Sequence, residues 1–137
     1  MGADIAIDPR ERSPYEAFTE LNNRRANLIY ECVGLPGMLP QMIAGAPFGG
    51  RIVMGGYCME SESFYVFAAQ NKGLSVHFAT GEHPEDMEAA LNAIADGKID
   101  IRPWLSKSIG LNAVAEAVTT MSGPSAPIRS LVDPRKL

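Results

Sequence analysis

Three short turns are the places in this sequence where chemistry could be held: Gly34-Leu35-Pro36-Gly37, Gly55-Gly56-Tyr57 and Phe78-Ala79-Thr80. Each closes an apolar run that reads as a strand of a parallel sheet. In such sheets ligands bind beyond the carboxyl ends of the strands, where small residues let a flat ring or a phosphate approach the backbone. Glycine at a strand exit is also ordinary turn chemistry, and each turn taken alone reads that way. No GxGxxG run occurs, and Gly45…Gly49-Gly50 precedes a strand instead of following one, so it is not a pyrophosphate loop.

The remaining polar candidates are weaker. Cys32 sits at an apolar strand end with no cation in the sequence beside it to lower its pKa, which argues against a reactive thiol. His77 falls mid-strand and reads as a hydrogen-bonded core or edge residue; His83 opens a helix, where capping or a solvated position is expected. His83, Glu85 and Asp86 cannot converge on one ion without a distant further ligand, so no metal site is expected there. Arg129 opens the last strand and could reach a phosphate, although spacing alone makes it a surface arginine. Trp104, after Pro103, is expected to pack.

These residues need a frame to hold them. Ile5–Ile7 reads as a short strand stopped by Asp8-Pro9, and Ser13-Pro14-Tyr15-Glu16 has the order of a capping box, opening a helix to about Leu21. Leu28–Val33 is a mostly apolar run without clean alternation, as a central strand covered on both faces would be. A second helix, ending at about Ile43, carries the chain to the strand Arg51–Gly55, a strand, helix, strand unit of the kind that joins parallel neighbours. The apolar segment Phe64–Ala69 then leads to the strand Leu74–Ala79. Pro84-Glu85-Asp86 opens a helix that Gly97 stops, with Met87, Ala90, Leu91 and Ile94 on one face. Ala113–Met121 reads as a further helix with Val114, Ala117, Val118 and Met121 inward, and Ile128–Val132 as a last strand. The class is α/β with a mainly parallel sheet.

A chain of 137 residues suits one ordinary domain, and 46% hydrophobic against 20% charged residues excludes disorder for its bulk. No apolar run approaches the roughly 18 residues of a membrane helix, so no membrane partner is expected. The net charge of −4, with no basic stripe, lacks the footprint of a nucleic-acid partner. Cys32 and Cys58 are the only thiols and form no CxxC pair, and Met1–Arg10 carries no secretory signal. Both observations point to a reducing cytoplasm, with the cysteines in the core.

Five runs in register resemble one family, the medium-chain, zinc-type alcohol dehydrogenases. They are Gly2-Ala3-Asp4-Ile5-Ala6-Ile7-Asp8-Pro9, Tyr30-Glu31-Cys32-Val33-Gly34, Gly49-Gly50-Arg51-Ile52-Val53, Ala95-Asp96-Gly97-Lys98-Ile99-Asp100 and Ile128-Arg129-Ser130-Leu131-Val132-Asp133-Pro134. The resemblance covers nearly the whole chain and is to the C-terminal part of such an enzyme. It implies a partial Rossmann-like, doubly wound sheet lacking its first two strands, followed by the terminal helices and last strand of the dehydrogenase. It further implies an NAD or NADP cofactor, with zinc only in an upstream domain. At matched positions Cys32, Val33, Gly34 and Leu35 would flank the adenine side. Gly55, Gly56 and Tyr57 would face the nicotinamide, Phe78 and Thr80 would present backbone groups to its carboxamide, and Arg129 would reach the pyrophosphate. Gly55 departs from the family, which has an apolar residue there.

In the family's strand order, 3-2-1-4-5-6, the strands at Ile5–Ile7 and Leu28–Val33 are separated by two strands that this sequence does not contain. An open apolar edge is an aggregation template, so another copy of the chain, a rearranged N-terminal segment or a separate N-terminal piece is expected to cover it. The resemblance implies hydride transfer between NAD(P) and an alcohol or carbonyl in the full enzyme, with this portion alone inactive. The alternatives are a non-catalytic dimerisation or binding module, and a zinc-free relative such as a quinone or enoyl reductase.

Overall fold

The computed structural model describes residues 2–79, 81, 83–121, 123 and 128–136. It forms two compact units, Met1–Gly81 and Glu82–Leu137.

In the first unit, helix α1 (Pro14–Asn22) begins as its sequence dictates. The Ser13 hydroxyl accepts from the Glu16 amide at 3.4 Å, Pro14 takes the first helical position, and Asn23 ends the helix in the left-handed region at φ 51°. Strand β1 (Leu28–Glu31), helix α2 (Met38–Gly45), strand β2 (Arg51–Met54), helix α3 (Val66–Asn71) and strand β3 (Ser75–Phe78) follow. The three strands form one parallel sheet in the order β1-β2-β3, with Ile29 opposite Ile52 and Ile52 opposite Val76. Pro40 is tolerated in α2 because it lies in the first turn, whose amides have no partner within the helix.

The core of this unit is α2 against the sheet. Leu39, Met42, Ile43 and Ala46 meet Ile52 and Met54, with Tyr15, Ile29 and Val76 packed around them. The Tyr15 ring lies where a side chain at Gly45 would stand, which seats α1 against the end of α2. The last carbonyls of α2 are gathered by one cation: Lys72 Nζ donates to the carbonyls of Ile43 and Ala44 at 2.8 Å and of Ala46 at 3.0 Å. Burial and the nearby Arg25 charge draw this amine below the ordinary lysine range.

Three expectations for this unit are corrected. Ile5–Ile7 is not a strand, because it has no ladder partner among the described residues. Leu28–Val33 ends at Glu31 and, among the described residues, is an edge strand bonded only to β2, leaving Leu28 and Tyr30 exposed. The apolar segment Phe64–Ala69, given no element from sequence, supplies the first four residues of α3. Cys32 is exposed and Cys58 half-buried, so neither thiol is a core residue. At the end of β1 the Glu31 side chain takes the inward position and Cys32 turns outward.

The second unit contains helix α4 (Pro84–Ala95), strand β4 (Leu105–Ile109), helix α5 (Val114–Thr120) and strand β5 (Arg129–Val132), with β4 and β5 paired in parallel. The α4 boundaries follow the sequence closely: Pro84 lies in the first turn, the Asp86 carboxylate accepts from the His83 amide at 3.1 Å, and Gly97 follows the helix at φ 71°. The inward faces are corrected, however. Val118 and Met121, expected inward, are more than half exposed, as are Met87 and Leu91 on the apolar face of α4, and Ile109 is the only buried large side chain described in this unit. Trp104 is only partly packed, at 37% exposure.

One turn design occurs three times: Asp8, Asp100 and Asp133 each accept from the amide and the guanidinium of the arginine two residues on. The arginine holds each carboxyl below its ordinary value of 3.8, in the case of Asp100 at about 2.

Candidate functional site

The carboxyl ends of β1 and β2 are tied together by one side chain. Glu31, the last residue of β1, is 2% exposed. Its Oε1 accepts from the amides of Val33 at 2.6 Å and Gly34 at 2.7 Å, and its Oε2 from the amide of Gly56 at 3.2 Å. Its main-chain carbonyl accepts from the amides of Gly55 at 2.7 Å and Gly56 at 3.0 Å. The carboxylate therefore satisfies amides of two turns that lie more than twenty residues apart in the chain, at an acceptor strength greater than that of a neutral oxygen.

Both turns need glycine at the contact. A Cβ on Gly34, at φ 71°, would stand 2.7 Å from the Tyr57 carbonyl oxygen, and one on Gly56 would stand 2.6 Å from Glu31 Oε2 and 2.8 Å from Gly34 Cα. The two backbones touch directly, leaving the side chains around them free to face a ligand. Val33, Leu35 and Tyr57 are exposed by 59% or more. Val33 and Leu35 also line a cavity of about 940 Å³ with Tyr15, Met38, Gln41 and Arg25. Burial raises the Tyr15 phenol above its ordinary value.

The amino end of α2, whose amides could attract a phosphate, is already engaged: the Leu39 amide donates to Glu62 Oε1 at 3.2 Å. That carboxylate, from the segment after β2, supplies the cap that Gly37 cannot.

The structure thus brings Cys32, Val33, Gly34, Leu35, Gly55, Gly56 and Tyr57 together at two adjoining strand exits. Phe78 ends β3 opposite Met54 and is exposed, with the Ala79 amide bonded to the Met54 carbonyl at 2.9 Å. Thr80 lies outside the described residues. Arg129 belongs to the second unit, where it opens β5 opposite Leu105 and is exposed. His77 is exposed on β3. Among the described residues no group of three or more His, Cys, Asp or Glu could hold a metal ion, and no helix is long and apolar enough to cross a membrane. Sequence reasoning missed Glu31 as the residue that organises the site. Its signal was a lone carboxylate in an apolar run, three residues before a glycine at a strand exit.

A strand, helix, strand unit with glycine turns at its carboxyl edge is common to many nucleotide-binding sheets. Comparison with known families decides among them: the family model of zinc-binding dehydrogenases matches residues 1–96. The chain belongs to the zinc-binding dehydrogenase family. Among the members of this family or fold that it resembles is 2-desacetyl-2-hydroxyethyl bacteriochlorophyllide A dehydrogenase of Cereibacter sphaeroides. That enzyme is 24% identical over 126 residues, spanning 90% of this chain and 40% of the enzyme. 2R,3R-butanediol dehydrogenase from Bacillus subtilis superposes with a TM-score of 0.81 at 19% identity, over 96% of this chain and 38% of its own. A zinc-binding dehydrogenase from Sinorhizobium meliloti bound to NADP does so with a TM-score of 0.79 at 23% identity, over 97% and 40%. At these identities the likeness to the two structures is one of fold, an α/β sheet of parallel strands with flanking helices. The chain spans about 40% of the length of the dehydrogenases it matches.

Proposed function

We propose that this zinc-binding dehydrogenase chain is the cofactor-binding C-terminal portion of an alcohol dehydrogenase-like oxidoreductase, holding NAD or NADP at the exits of β1 and β2. In the whole enzyme a hydride would pass between that cofactor and an alcohol or carbonyl. The first unit would be the C-terminal part of the nucleotide-binding domain, and the second the terminal helices and last strand of the dehydrogenase. The observation that supports the reading is the pair of touching glycine turns joined by Glu31 at the two strand exits, packed so closely that a Cβ at Gly34 or Gly56 would strike the other turn. Its rims are flat and apolar, as a dinucleotide requires: Val33 and Leu35 would take the adenine side, Tyr57 and Phe78 the nicotinamide side.

The described residues do not fit a zinc site. The chain alone is expected not to turn over alcohol. A cytoplasmic location suits its two free thiols. Titration with NADH and NADPH, followed by nicotinamide fluorescence and calorimetry, tests the reading. Saturable binding that ADP-ribose displaces supports it; no binding of either dinucleotide at millimolar concentration would overturn it.

A second reading, a non-catalytic dimerisation module, is favoured by one feature: Tyr65, Val66 and Phe67 are exposed together at the start of α3. Sedimentation equilibrium separates the two. A tight dimer that binds no dinucleotide fits the module, and recovery of alcohol oxidation on mixing with an N-terminal dehydrogenase half fits the enzyme portion.

A further inference from the structure

We propose that Glu31 is a positioning residue that makes the two turns respond as one, so that an adenosine phosphate engaging Val33 and Leu35 is felt at Gly56 and Tyr57. The inference rests on the dinucleotide reading above and goes beyond it, because it assigns a coupling between the two halves of the site to one side chain. Three geometric facts carry it. The carboxylate is buried and accepts from three amides, those of Val33, Gly34 and Gly56. Its two oxygens divide the work, Oε1 serving the first turn and Oε2 the second. The turns also touch through glycine, with a Gly34 Cβ position 2.7 Å from the Tyr57 carbonyl, so neither can shift without moving the other. A rigid junction with these properties transmits a displacement instead of absorbing it.

Glutamine is the informative replacement, because it keeps the size and one acceptor oxygen but offers an NH2 where the second oxygen stood. With its oxygen kept toward Val33 and Gly34, the NH2 of Glu31→Gln faces the Gly56 N–H, and donor meets donor. The first turn is retained, and the second is left with only the bonds of Gly55 and Gly56 to the Glu31 main-chain carbonyl. Couplings of this kind amount to about 5–150-fold in affinity. Glu31→Gln should therefore weaken NADH binding by about tenfold or more while changing AMP affinity by less than about threefold.

The experiment is amide NMR on the whole 137-residue chain, with AMP as the probe. In the native protein AMP should shift the Val33 and Gly34 amides and, with the same midpoint, those of Gly56 and Tyr57. In Glu31→Gln only the first pair should move, and Gly56 should exchange with solvent at least about tenfold faster while Ile52 and Val53 are unchanged. AMP shifts confined to the first turn of the native protein would overturn the coupling. If AMP binds nowhere, the NADH and NADPH titrations judge the dinucleotide reading, and the exchange of Gly56 still judges Glu31: unaltered protection in Glu31→Gln would refute its role. If Glu31→Gln unfolds, seen as lost protection at Ile52 and Val53 as well, the AMP titration of the native chain decides alone.

Discussion

Gly34 and Tyr57 meet backbone to backbone. The position of a Cβ on Gly34 is 2.7 Å from the Tyr57 carbonyl oxygen and 2.9 Å from both its carbonyl carbon and its nitrogen, and Gly34 itself is at φ 71°. An alanine there has to enter the left-handed region and push back a segment of main chain, not a flexible side-chain tip. The two costs, about 1 kcal/mol for the conformation and about 1–3 kcal/mol for overpacking, place Gly34→Ala about 2–4 kcal/mol below the native protein. Urea unfolding followed by circular dichroism measures this. A change below about 0.5 kcal/mol, the size expected of a neutral surface substitution, would show that the turns are not in contact.

Lys72 should contribute to stability through backbone alone. Its ammonium takes three carbonyls at the end of α2, and methionine in its place keeps the stem but abandons all three. Lys72→Met should cost about 1–3 kcal/mol, read as a lower urea midpoint with an unchanged slope. Protection loss should be greatest at the carboxyl-terminal turn of α2 in hydrogen exchange.

The three aspartate–arginine turns give the acid response a definite sign. Each carboxyl is held below its ordinary 3.8 when folded, so its contribution is present above that value and is lost as pH falls through the lower, folded one. For Asp100 that midpoint is about 2, set first by the Arg102 side-chain hydrogen bond. Carboxyl-carbon NMR should find it there, and Arg102→Gln should return it toward 3.8. Because the pair is exposed, added salt should move the native value the same way.

Protection from exchange should fall from the middle of the three-stranded sheet to its β1 edge. The alternation that bonds the Asn27 and Glu31 carbonyls to the Arg51 and Gly55 amides turns the Leu28 and Tyr30 amides away from β2. Those two should exchange about as fast as loop amides, while Ile52, buried and paired on both sides, should exchange slowest. Slow exchange at Leu28 and Tyr30 would instead reveal a partner on that edge. Tyr30→Lys should then abolish both the protection and any self-association seen by light scattering.

How much of this was legible from sequence depended on the range of the interaction. Helix α4 is written locally, in Pro84, Asp86 and Gly97, and its ends fall where those residues put them. Strands β2 and β3 and the crossover through α2 were equally readable, because apolar runs and their punctuation lie within a few residues of one another. Phe64–Ala69 was not, since a short apolar run reads alike as strand or helix and only packing against α2 chooses. The shared face of Met87 and Leu91 and the inward face given to Val118 followed from periodicity, which locates a stripe but not the surface that covers it. At the site, the glycine turns were legible as turns. Glu31 was not legible as their fastener, because its third amide partner, Gly56, is twenty-five residues away.

The fastening at Glu31 also bears on how such a protein can change over evolutionary time. Every bond it makes ends on main chain, which all residue types share, and the only side chains the junction forbids are those that would grow from Gly34 and Gly56. Cys32, Val33, Leu35 and Tyr57 can be exchanged without loosening the scaffold beneath them. Substitution at those four positions changes the surface that the turns present while the Gly34–Tyr57 backbone contact and the bonds of Glu31 stay as they are.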